Sequence, residues 1–214
     1  MSRVVPIDED AKRRVLAAVE AVERRSSAEV VIAVRRAAGG YRHVEYLLGA
    51  ALAYAMLLVT LFAPPIFELP MIALLVLLSF TCGVAIARVT SALTLRLAGR
   101  ERVAQRVREA ARAAFVECGV SATRERTGIL VYVALLERRC VLVPDIGVTS
   151  RIPRDAWEAT RRAIEGVPIS RLFKGAAPEA LARALEGAIE TLAEHLPRRA
   201  DDVDELPALA EEVA

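Results

Sequence analysis

Asp145 stands where the apolar run CVLVP, residues 140–144, gives way to a glycine at 147. A carboxylate at a strand-to-loop junction occupies the kind of place where α/β sheets hold ligands. It can coordinate a cation or attack a phosphoryl group as a nucleophile. Glu29 opens the run EVVIAV and is the one further oxygen donor that a cation at Asp145, calcium being the natural choice, would draw on. A plainer chemistry competes: a strand-end acid caps the loop backbone, and the residues favour this for Asp145. By the same reasoning Glu29 reads as part of a solvated helix-to-strand turn. Arg138 can meet a phosphate, but it lies in a charged turn, where arginines usually face water.

The remaining reactive types form no constellation. His43 and His195 lie in separate segments, so no histidine metal site follows from their spacing. His195 falls at the end of a helical run, where the helix dipole favours it. Cys82, Cys118 and Cys140 share neither metal-ligand nor redox spacing, and Cys118 has no adjacent histidine. Trp157 reads as a core anchor. No phosphate-binding glycine loop, HExxH or GxSxG occurs.

The elements that must position these residues follow from periodicity. Residues 8–25 predict a helix, capped by Asp8, with Val15, Ala18, Val19 and Val22 on one stripe. Residues 28–34 predict a strand. Residues 91–118 predict one long helix bent at Gly99, with Gly119 as its stop. The run 127–136 is apolar almost without alternation, which implies burial of both faces. The turn Glu137-Arg138-Arg139 joins it to a return strand, 140–145. A helix from Pro153, a short turn at 168–173 and an amphipathic helix at 178–196 complete the order. A strand buried on both faces needs helices on both sides. The expected fold is therefore α/β, a three-layer α/β/α sandwich with a small mixed sheet.

One segment does not belong to such a domain. The chain has 214 residues, 55% of them hydrophobic, with a mean hydropathy of +0.36. The excess lies in two apolar runs, about 46–63 and 71–89, free of charge up to Arg88 apart from Glu68 in the link, and each long enough to cross a bilayer. Pro64, Pro65 and Pro70 bound the link between them. The expected organisation is a first domain part at 1–43, a transmembrane hairpin at 44–90, the remainder of the domain at 91–198 and an acidic, disordered tail at 199–214. Charged residues 8–14 leave no room for a signal-peptide apolar region.

Arginines flank both spans, at Arg35, Arg36 and Arg42 and again at Arg88, Arg96, Arg100 and Arg102, whereas the link carries only Glu68. This asymmetry predicts an inner (plasma) membrane protein of two spans with both termini cytoplasmic. The basic cluster from Arg96 to Arg112 can attract anionic lipid headgroups, but the residues favour positive-inside anchoring and a solvated helix face over specific lipid binding. No aromatic residues interleave these arginines, so nucleic acid is not an expected partner.

The segments VEAVERRSSAEVVIAV and TRERTGILVYVALLERRCVLVPDIGVTSRIPRDAW resemble the TPM domain family, in its bacterial subgroup with a two-span insertion after the first strand. The resemblance rests on Ser27 and Glu29; on Thr123, Arg126 and Gly128; on Glu137, Arg138 and Arg139; on Asp145 and Gly147; and on Trp157 and Pro197. It covers about 5–35 and 100–198. Val148 replaces the usual isoleucine, and Pro144 precedes the acid. The resemblance implies the fold above, and by analogy with some members acid phosphatase activity or calcium binding. With no catalytic constellation in the chain, the expected function is a non-enzymatic binding or scaffolding module for a membrane-associated protein. The alternative is a metal-assisted phosphatase using Asp145.

Overall fold

A computed structural model describes residues 9–63, 67–169, 176–199 and 206–211. The chain forms two compact units, one of residues 1–38 and 106–214, the other of residues 39–105.

The first unit is an α/β fold. Helix α1 (Glu9–Glu23) leads into β1 (Glu29–Arg35). After the second unit the chain returns in α5 (Arg100–Glu117), turns at Gly119, whose φ is +66°, and forms β2 (Gly128–Ala134) and β3 (Arg139–Pro144). Helices α6 (Ile146–Arg151), α7 (Arg154–Glu165) and α8 (Ala176–His195) follow, then β4 (Leu209–Glu211). The sheet is mixed, in the order β3-β2-β1-β4. β1 is parallel to β2, with Glu29 opposite Gly128 and Arg35 opposite Ala134; β3 is antiparallel to β2, with Pro144 opposite Ile129.

Strand alternation divides the core. Val30, Ile32, Val34, Ile129, Val131 and Val133 pack with the stripes of α1 and α8 and with Trp157 and Ile164 of α7. Val31, Ala33, Leu130, Tyr132 and Ala134 pack with Val107, Ala111 and Ala114 of α5 and with Val120. The unbroken apolar run of β2 thus serves two cores, as its composition implies. Trp157 is the core anchor its sequence context suggests.

The tail departs from expectation. β4 pairs in parallel with Ile32–Val34, and the Ile32 N–H donates to Ala208 O at 3.0 Å. β1 would otherwise leave a row of main-chain groups open on that edge, and three residues of tail satisfy part of it. A three-residue strand beside an acidic stretch has no periodicity to reveal it. Asp8, residues 170–173 of the expected turn at 168–173, and Asp201, Asp202, Asp204, Glu205 and Glu212 lie outside the described residues.

The second unit contains α2 (Arg42–Phe62) and α3 (Leu69–Val89), both long and apolar enough to cross a membrane. Each has 21 residues, about 31 Å at 1.5 Å per residue. The helices meet through glycines. A Cβ on Gly83 would lie 2.8 Å from Gly49 Cα, and one on Gly49 would lie 2.8 Å from Val84 Cγ2. Close backbone approach through small residues is how helices pair where solvent supplies no hydrophobic drive. Large side chains such as Leu47, Tyr54, Phe62, Leu74 and Leu77 point outward and are exposed. The Arg88 Nε donates to Glu45 Oε2 at 2.9 Å, tying the end of α3 to the start of α2.

The helix expected at 91–118 is two helices. α4 (Ser91–Ala98) ends at Gly99, whose φ of +83° is a left-handed conformation that interrupts the helix. Thr94 Oγ1 donates to Ala87 O at 2.7 Å, so α4 folds back on the hairpin. The second unit therefore extends to residue 105 rather than ending near 90.

Candidate functional site

Asp145 is buried, with 4% of its surface exposed, and each of its side-chain oxygens is engaged. Arg126 Nε donates to Oδ2 at 2.7 Å, and Arg126 Nη2 donates to Oδ1 at 3.0 Å. The Ile146 N–H donates to Oδ1 at 2.7 Å, which makes Asp145 the N-cap of α6. Its main chain is equally committed: the N–H donates to Gly128 O at 2.9 Å, and the carbonyl accepts from Val148 N at 3.2 Å. This two-pronged guanidinium–carboxylate geometry is strong and directional. The hydrogen bonds and charge of Asp145 raise the pKa of the half-exposed Arg126 above its ordinary value.

The glycine after the acid has its own reason. A Cβ on Gly147 would fall 2.5 Å from both Arg126 O and Glu125 O, and the Gly147 N–H donates to Arg126 O at 2.9 Å. Arg126 adopts φ +58°, so the loop turns sharply where the acid and the glycine grip it. Thr123 O accepts from Arg126 N at 3.1 Å. At Gly128 a Cβ would strike Val120 O at 2.3 Å. Thr123, Arg126 and Gly128 of one segment and Asp145 and Gly147 of another are thus two halves of a single clasp.

Glu29 is buried and pairs in register with Gly128, whose carbonyl accepts from Asp145 N–H. The two acids therefore flank Gly128 at one end of the sheet, with the Val120 main chain over that glycine. The Arg126 guanidinium pairs with Asp145, and the two carboxylate oxygens together accept three N–H donors. Among the described residues no group of three or more His, Cys, Asp or Glu stands together. Topology also matters: β3 runs against β2, so Asp145 lies at the amino ends of the parallel strands. Ligands of open α/β sheets gather at the carboxyl ends.

The other sequence candidates are dispersed. Glu137 Oε1 accepts from Ala38 N at 3.0 Å and so holds the chain as it leaves β1. Arg138, exposed, supplies the turn's left-handed residue at φ +54°. His43 belongs to the second unit, and His195 Nδ1 lies 3.0 Å from Thr191 O within α8. Cys140 is buried, with its thiol pKa pushed up to about 12, and burial also raises that of Cys118.

Two interactions were not legible in the sequence. Glu165 Oε1 accepts from Leu142 N at 3.1 Å, covering a donor on the outer edge of β3, while Arg161 Nη1 donates to its other oxygen at 2.7 Å. Glu125 accepts from Arg151 Nη1 at 2.8 Å and from Arg199, joining the clasp loop to α6 and to the segment after α8. The hydrogen bond from Arg151 and the nearby charge of Arg199 hold the Glu125 carboxyl below its ordinary pKa.

The chain thus belongs structurally among small α/β proteins with a mixed sheet. Its fold is similar to that of the BA42 protein from the psychrophilic bacterium Bizionia argentinensis, known from an NMR structure. The TM-score is 0.55 at 17% identity, over 99% of this chain and 100% of that one. At that identity the likeness is one of fold. No protein-family model and no curated protein matches the chain.

Two predictions follow from the clasp. Asp145→Ala removes a helix cap worth about 1 kcal/mol and breaks the fork, whereas Asp145→Asn retains an acceptor for Ile146. Thermal unfolding should rank wild type above Asn above Ala, and Gly147→Ala should also unfold early because backbone carbonyls cannot yield to its Cβ. Glu125 sets an acid response. Its folded pKa lies below the unfolded value, so its contribution is complete above about pH 4.3 and is lost as pH falls through the folded pKa. Glu125→Gln should flatten the dependence of melting temperature on pH below that point.

Proposed function

We propose that the chain is a membrane-anchored cytoplasmic module that binds or scaffolds a membrane-associated protein, and that it is not an enzyme. The observation that carries this reading is the engagement of Asp145. A nucleophile or cation ligand needs a lone pair available to phosphorus or metal. Here both carboxylate oxygens accept short hydrogen bonds from Arg126 and Ile146. The acid holds a loop in place.

In this reading the first unit is a TPM-like three-layer α/β/α sandwich, which the separate cores on alternate residues of β1 and β2 support. The second unit is a transmembrane hairpin inserted between β1 and α5. Two outward-facing apolar helices that meet through Gly49 and Gly83 support this, since a buried soluble hairpin would turn its leucines inward. An even number of spans returns the chain to the same side, as pairing of β1 with β2 requires. The arginine asymmetry favours both termini in the cytoplasm and residence in the inner (plasma) membrane.

Affinity capture of the full chain in mild detergent should return a membrane-associated protein in a fixed ratio. The wild type should hydrolyse no activated aryl phosphate. Turnover that disappears in Asp145→Asn would overturn the binding-module reading in favour of a phosphatase. Topology is best tested with introduced thiols, because Cys140 is buried and would resist labelling on either side. A membrane-impermeant maleimide on intact cells should label Glu68→Cys and spare Glu186→Cys until lysis; the reverse pattern would invert the orientation.

A further inference from the structure

We propose that one end of the hairpin unit is a collar for the headgroups of anionic lipids. The inference rests on the membrane reading above and adds a lipid preference to it. Within residues 39–105 the charged side chains are sorted by position. Arg42, Arg88, Arg96, Arg100 and Arg102, with Glu45 and Glu101, all fall in the first turn of α2, in the last turn of α3 or after it, and Glu68 alone marks the link. The Arg88–Glu45 pair shows that the start of α2 and the end of α3 are the same end of the hairpin. It also uses one of the two glutamates internally, which leaves the arginines there in excess.

The placement of α4 turns this excess into a surface. An uninterrupted α3 would carry Arg96 about 10 Å further along its axis. Instead the helix breaks at Thr90, and Thr94 Oγ1 donates to Ala87 O, which pins α4 beside the last turn of α3. Thr94 and Ala98 are buried, while Arg96 and Leu97 are exposed. Val89, 86% exposed, lies at the same break. Arg100 and Arg102 continue the exposed set beyond Gly99. A short helix that shows a leucine and an arginine outward at the end of an apolar hairpin has the composition of an interfacial helix. Its apolar groups suit the acyl boundary, and its guanidiniums suit lipid phosphates. Arginine forms paired hydrogen bonds with phosphate that a diffuse positive field does not require, and each basic residue near an anionic leaflet strengthens binding.

The full chain, reconstituted in vesicles of equal phosphatidylcholine and phosphatidylglycerol, is extracted in mild detergent, and the lipids that copurify are quantified by mass spectrometry. Phosphatidylglycerol should be enriched severalfold over its share of the vesicle. The enrichment should fall to the bulk ratio in Arg96→Gln/Arg100→Gln/Arg102→Gln and persist in Arg183→Gln, an exposed control on α8 of the first unit. Raising the salt during extraction should reduce it in the wild type, a readout that needs no variant. Equal lipid ratios in wild type and triple variant would overturn the collar while leaving the hairpin in the membrane. A chain that washes from vesicles in alkaline carbonate would remove the membrane reading and the collar with it.

Discussion

The fork between Arg126 and Asp145 is the contact on which the first unit's architecture turns. It joins the loop before β2 to the residue that ends β3 and begins α6. Because Asp145 also bonds to Gly128 through its main chain, the fork, the sheet edge and the α6 cap share one residue. Breaking it would leave a buried carboxylate with fewer donors and a left-handed arginine whose turn is held by main-chain bonds to Thr123 and Gly147. Gly128 and Gly147 let the surrounding backbones come close enough for the fork to close.

Around this clasp the same end of the sheet is tied repeatedly. Thr127 Oγ1 donates to Ser27 O at 2.7 Å, and the Ser27 N–H donates to Leu196 O at 2.8 Å. Ser26 forms a bridge with Pro197. Each bond is worth little by itself. Together they fix three separate stretches of chain, around residues 27, 127 and 196, against one another. The conspicuous polar residues around this clasp are therefore used to join segments.

The opposite end of the sheet handles a different problem, the departure of the chain. Parallel pairing of β1 with β2 requires a crossover, and the second unit is spliced into that crossover. Glu137, by accepting from Ala38, holds the exit strand while the main chain of Leu135 and Leu136 continues the pairing to Arg35 and Arg36. The turn that contains Arg138 thus carries, in Glu137, a fastening at the point where the chain leaves β1.

The amino-acid order by itself determined which segments are strands and helices, because the apolar periodicity is local: the doubly buried run of β2, the stripes of α1 and α8, and the two long apolar helices all declare themselves. It also marked Asp145 and Gly147 as special, since an acid and a glycine closing an apolar run are hard to place elsewhere. Only tertiary structure decided what they are for. Strand direction put Asp145 at the amino ends of the parallel strands, and a guanidinium nineteen positions away paired with its carboxylate. Tertiary structure likewise folded α4 back on α3 and recruited the tail as β4, through a single threonine hydroxyl and an open strand edge. Periodicity depends on neighbours in the chain and can be read along it. A hydrogen bond between distant residues depends on which surfaces meet, and that is settled only when the chain has folded.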